Sequence, residues 1–175
     1  MVAGCGGMGP TTFIHPDFNF GFVERVAVVP FENLSSDPAA GAKATRYFTT
    51  SLLATESFAV VEPGEVSRAM EQFGLVSAAQ LTEEQVLSLG RELGAQAVFL
   101  GSLSESSALR SGSTTVNVVT VVVRLLETET GTTIWSATNT EDSASFWSSL
   151  FGTGQRSPSE VMRSCLDGCL DTLMD

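Results

Sequence analysis

The segment Thr115 to Glu127, TVNVVTVVVRLLE, constrains the fold more than any other stretch of the chain. Val119, Val121, Val123 and Leu125 recur with the period of two that lines one face of a strand. Val116, Val118, Val122 and Leu126 fill the opposite face. A strand that is apolar on both faces belongs in the middle of a sheet covered on both sides. The rest of the chain must then supply flanking strands and two layers of helix.

The flanking segments meet that demand. Arg25 to Phe31, RVAVVPF, reads as a valine-rich strand. Asp37 can cap a helix that opens at Pro38 and runs to about Thr55. Its apolar face holds Ala40, Ala44, Tyr47, Phe48 and Leu52. Phe58 to Val61 is a second strand. Pro63 opens a second helix, expected to bury Val66, Met70 and Phe73 and to end at Gly74. Thr82 and Gln85 form a capping box for a third helix, which buries Val86, Leu89 and Leu93 and stops at Gly94.

Gln96 to Leu103 is the third strand, and the polar stretch Glu105 to Ser113 reads as a loop or hairpin end. Glu129-Thr130-Gly131 turns the long fourth strand into a fifth, TTIWSAT. Ser157, Pro158 and Glu160 open a last helix on Val161, Cys165, Leu166, Cys169, Leu170 and Leu173. The expected fold is α/β: a three-layer arrangement around a mixed five-stranded sheet, parallel at its core with an antiparallel meander at one side. With right-handed crossovers, a first strand lying between the second and third makes the two crossovers run in opposite directions. The first helix then covers one face, and the second and third helices cover the other. Residues 1–24 are expected as a tether and 25–175 as a single domain.

Charge narrows the partners. Acidic residues outnumber basic ones 20 to 9, for a formal net charge of −11. Such a surface repels nucleic acid, and anionic lipid as well, so membrane attachment would need an anchor. Catalytic chemistry finds little material. The chain has one histidine, His15, and lacks G-x-S-x-G, P-loop and H-E-x-x-H patterns. No enzyme activity, metal or cofactor is expected. Cys165 and Cys169, four apart on one helix face, read as small buried apolar residues rather than a redox pair.

The amino end, VAGCGGMG, carries two readings. Gly4, Gly6 and Gly9 spell G-x-G-x-x-G, but no strand precedes them and no amphipathic helix follows, so a dinucleotide loop fails on context. Val2-Ala3-Gly4-Cys5 matches a lipobox, with Cys5 as the lipidated residue and the glycines after it as a flexible spacer. An incidental cysteine in a Gly-rich end is the competing reading.

From RVAVVPFENLSSDP onward the chain resembles a known family. FAVVEPGEVSRAM, LGRELGAQAVFLGSL and VVVRLLETETGTTIW, with Trp135 near the end, follow in the same order. Together they are similar to CsgG-like periplasmic lipoproteins and the amino-terminal domain of TolB, a group related to penicillin-binding-protein activator lipoproteins. The resemblance covers about Arg25 to Thr140. It implies a non-catalytic periplasmic lipoprotein, moored to the outer membrane, that binds other envelope proteins as an adaptor or an assembly and secretion accessory. It also allows a homo-oligomer. A membrane pore is not expected, because Ser104 to Thr114 reads as too short and polar for a barrel hairpin.

Two surfaces are candidates. Phe146, Trp147, Leu150 and Phe151 form one stripe of a short helix and could anchor a partner. Glu32, Asn33, Ser35 and Ser102 should gather where the crossover direction reverses, at the carboxyl ends of the first and third strands. A periplasmic small-ligand-binding domain using that crevice is the alternative function.

Overall fold

A computed structural model describes residues 9–75, 81–111, 114–143 and 156–175. In chain order the elements are β1 (Thr11–Ile14), β2 (Arg25–Val28), β3 (Glu32–Asn33), α1 (Ala40–Ala54), β4 (Ala59–Val60), α2 (Pro63–Gln72), α3 (Glu83–Leu93), β5 (Ala97–Ser111), β6 (Thr114–Glu127), β7 (Thr133–Asp142) and α4 (Pro158–Met174). The sheet has seven strands, ordered β1-β7-β6-β5-β2-β4, with β3 paired to β5 off that path. β2 lies between β4 and β5 and runs parallel to both, the arrangement in which the two crossovers run in opposite directions. β5, β6, β7 and β1 form an antiparallel run.

Each face has its own core. On one side Ala44, Phe48 and Leu52 of α1 and Cys165, Leu166 and Cys169 of α4 pack on Phe99, Val121, Leu125 and Trp135. The rings form a chain: Phe31 to Phe48 at 5.4 Å, Phe48 to Phe99 at 5.1 Å and Phe99 to Trp135 at 6.2 Å between centroids. On the other side Val66 and Met70 of α2 and Val86 and Leu89 of α3 pack on Val29, Val98, Leu100 and Leu126. Local chemistry sets the helix ends. Thr82 with Gln85, and Ser157 with Glu160, form complete capping boxes, and Gly94 closes α3 with φ 58°. α1 begins at Ala40, two residues past Pro38, yet the Asp37 carboxylate still accepts the Ala39 N–H at 2.9 Å.

Several expectations are corrected. The sheet gains β1 and β3 over the expected five strands. Both are edge pieces too short to show a period, and β1 lies inside the stretch expected as a tether. Residues 105–111, read as a loop, are strand, because their backbone pairs with β6 through Ser111↔Thr114. Pairing with an existing strand overrides the low β-propensity of serine. A bulge between Ser107 and Leu109 bends this ladder. Phe73 is 39% exposed rather than buried. Finally, β6 is covered on both faces only near its carboxyl end. Val119, Val121, Val123 and Leu125 are buried, whereas Val116, Val118 and Val122 are half-buried.

Candidate functional site

The half-buried valines mark a surface that helices leave open. α2 and α3 sit over β2, β4 and the first part of β5. Beyond them, toward β6, β7 and β1, no described residue forms a covering layer on this face. Register places Glu32, Ser102, Val122, Thr138 and Thr11 in one row across five strands. The neighbouring row runs Leu100, Arg124, Ser136 and Phe13, with Phe13 48% exposed. Thr120 and Thr140 share a hydroxyl hydrogen bond of 3.0 Å on the strands between. The result is a flat surface of valine, threonine and serine with an aromatic at its edge and few charges. On a chain of net charge −11, the described part of this face holds Glu32, Arg124 and Asp142, so another protein approaching the valines and threonines between them desolvates few carboxylates.

The expected crevice divides in two. Glu32 and Ser102 are register partners and belong to the open face. Asn33 and Ser35 do other work. The Asn33 amide nitrogen donates to the Asp37 carbonyl at 2.8 Å, and its oxygen accepts from the Ser35 N–H at 3.0 Å and the Ser35 hydroxyl at 2.7 Å. These bonds lock the turn into α1. A cavity of 870 Å³ opens elsewhere, near the start of β5, lined by Phe18, Phe22, Gly90, Arg91 and Glu127 among others. Nothing in the sequence pointed to it, because its wall combines residues from three separate segments. The stripe Phe146, Trp147, Leu150 and Phe151, and Cys5, lie outside the described residues.

Reactive groups are few on the described part of the open face: the His15 ring lies edge-on to Phe13 at its rim, 6.5 Å between centroids. His15 accepts a backbone hydrogen bond from Asp17 at 3.3 Å. Cys165 and Cys169 are buried free thiols, with the Cys165 thiol 3.2 Å from the Asn139 carbonyl. Burial pushes both up to about 12, so neither is a thiolate near neutral pH. Among the described residues no cluster of His, Cys, Asp and Glu could hold a metal. No helix among them is long and apolar enough to cross a membrane.

Comparison with known proteins gives this geometry its context. A comparison with curated proteins finds no match. Among solved structures, dodecameric PelC from Paraburkholderia phytofirmans is 22% identical, with a TM-score of 0.61 over 94% of this chain and 96% of that one. The lipoprotein GNA1162 from Neisseria meningitidis is 18% identical, with a TM-score of 0.62 over 86% and 98%. LpoB from Escherichia coli is 25% identical, with a TM-score of 0.52 over 67% of this chain and 58% of that one. The family model described as peptidoglycan-synthase activator LpoB matches residues 21–140, from the approach to β2 almost to the end of β7. Of the resemblances drawn from the sequence, the relation to penicillin-binding-protein activators is the one these matches support. With most of its length matched, the chain belongs to the LpoB family of peptidoglycan-synthase activators, whose role is that of a non-catalytic, protein-binding adaptor of the cell envelope.

Proposed function

We propose that this chain activates a peptidoglycan synthase by docking it on the open half of the sheet, while a lipid on Cys5 moors the domain to the outer membrane. The observation that carries the reading is the family match over residues 21–140, since that span contains the strands of the open face except β1 and the last two residues of β7. A flat surface with few charges suits an adaptor, because association there removes apolar area from water at the cost of few desolvated carboxylates. The stripe Phe146, Trp147, Leu150 and Phe151 serves as a second contact for the same partner. PelC with this fold is a dodecamer, and self-association is part of the proposal for this chain.

The test is reconstitution. The chain is mixed with a bifunctional peptidoglycan synthase from the same cell, and glycan polymerisation is followed. A several-fold rise in rate is expected. Val122→Glu and Phe13→Glu should reduce that rise; the exposed Phe13→Glu should leave the melting temperature nearly unchanged, and circular dichroism checks that the half-buried Val122→Glu keeps the fold. No stimulation by the unaltered chain would overturn the activator role. Full stimulation by both variants would remove the open face from it.

A further inference from the structure

The sheet ends differently at its two flanks. On one flank β5 is paired to β2 over Ala97 to Phe99 and to β3 over Ser102 and Leu103. From Ser104 to Ser111, no described residue pairs with its outer side, although its inner side stays on β6 to the tip. On the other flank lies β1, whose four residues are all exposed and whose outer side is likewise unpaired among the described residues. Long open edges are templates for strand addition, and chains usually blunt them with charge or proline. Here residues 104–117 hold one Glu and one Arg and no proline.

We infer that the open edge of β5 pairs with β1 of a second copy of this chain. The inference rests on the self-association part of the proposed function and names its surface. Two observations favour a second copy. The first is polarity. β7 runs antiparallel to β6 and β6 antiparallel to β5, so β5 and β7 point the same way, and β1 opposes both. Copies in the same orientation therefore bring β1 to β5 as an antiparallel pair, the geometry with the stronger ladder. The second is charge. Two bodies of −11 meet at least cost where both strips are nearly neutral. Residues 9–16 carry no Asp, Glu, Lys or Arg, and 104–117 balance Glu105 against Arg110.

The contact is head-to-tail, so each copy offers one edge and receives another. Its register has a consequence. β1 lies level with Phe99 to Ser102 of its own sheet, as the register through β7 and β6 shows. To face Ser104 and beyond, the neighbour must sit shifted along the strands by about five residue steps, roughly 17 Å.

The backbone supplies clean variants. The His15 N–H donates to Ile134 at 2.8 Å, so the alternate groups of Thr12 and Ile14 face outward. The Leu34 N–H donates to the Leu103 carbonyl at 2.8 Å, so the backbone groups of Leu103, and by alternation those of residue 105, point to the open edge of β5. Thr12→Pro and Glu105→Pro each delete an outward donor and spare the existing ladder. Sedimentation velocity and native mass spectrometry of the full chain read the result. The unaltered chain should assemble beyond dimers. Each variant alone should remain monomeric. Their equimolar mixture should form dimers and stop, because one partner keeps the donor edge and the other the acceptor edge.

Assembly of either variant like the unaltered chain overturns this surface and leaves self-association standing. A monomeric unaltered chain at millimolar concentration overturns both, while synthase stimulation, measured separately, still decides the activator role. Should a proline variant lose its circular dichroism signal, hydrogen exchange of the unaltered chain decides. The Thr12 and Ile14 amides should slow several-fold between dilute and concentrated solution, and concentration-independent exchange overturns the pairing.

Discussion

Gly101 and Glu127 show how single residues hold this sheet. Gly101 lies beneath the ring of Phe31, and a β-carbon there would come within 2.6 Å of it. Phe31 is itself wedged against Phe48, so it cannot withdraw without opening the core. Gly101→Ala should destabilise the domain by roughly 1–3 kcal/mol, the usual cost of overpacking, seen as a lower urea midpoint at unchanged slope. Glu127 is 9% exposed at the end of β6. Burial alone would raise its pKa, but the Thr130 hydroxyl and the N–H groups of Glu129 and Thr130 bind the carboxylate and together hold it below its ordinary 4.5. A depressed folded-state pKa means the stabilisation is complete above 4.5 and fades as pH falls through the lower folded value. Thermal melts across that acid range should show a steeper loss of stability for the unaltered chain than for Glu127→Gln.

At the scale of elements, end chemistry and pairing do different jobs. In the α3 box the Thr82 hydroxyl accepts from the Gln85 N–H at 3.4 Å, and the Gln85 side chain accepts from the Thr82 N–H at 2.9 Å. Thr82→Ala should cost about 1 kcal/mol in chemical denaturation. Thr82→Ser should recover most of it, since the hydroxyl is what matters. β7 stops by a comparable device. The Ser143 hydroxyl, wholly buried, accepts the Asn117 N–H at 3.0 Å, and the Ser143 N–H donates to the Asn117 carbonyl at 2.9 Å. A side chain thus closes the ladder where a further strand residue would otherwise bond.

Across the whole molecule, net charge governs how copies meet. Each copy carries −11, so approach is opposed at long range even where the contacting strips are neutral. Raising ionic strength from about 0.01 M to about 1 M shortens the Debye length from roughly 30 Å to about 3 Å. Self-association should therefore tighten with salt, measured as a falling dissociation constant in light scattering. A contact built on ion pairs would weaken instead. The open face is sparsely charged as well: Thr120 and Val122 stand between serine and threonine on the neighbouring strands, with Asp142 beside Val118.

The alternating valines of β6, the capping pairs Thr82–Gln85 and Ser157–Glu160, and the glycine at 94 are written in local sequence, because period and end chemistry act within a few residues. They were enough for the strands and helices of the parallel core; given a first strand between the second and third, the division of helices between two faces followed. Tertiary pairing alone decided that the serines after Ser104 extend a strand and that TTFI at the amino end adds an edge. Their backbone bonds come from partners far along the chain, and side-chain type scarcely specifies them. It also decided that Val118 and Val122 stay half open, because burial on the second face depends on how far α2 and α3 reach across the sheet. That reach, invisible in β6 itself, turns a strand with two apolar faces into a binding surface.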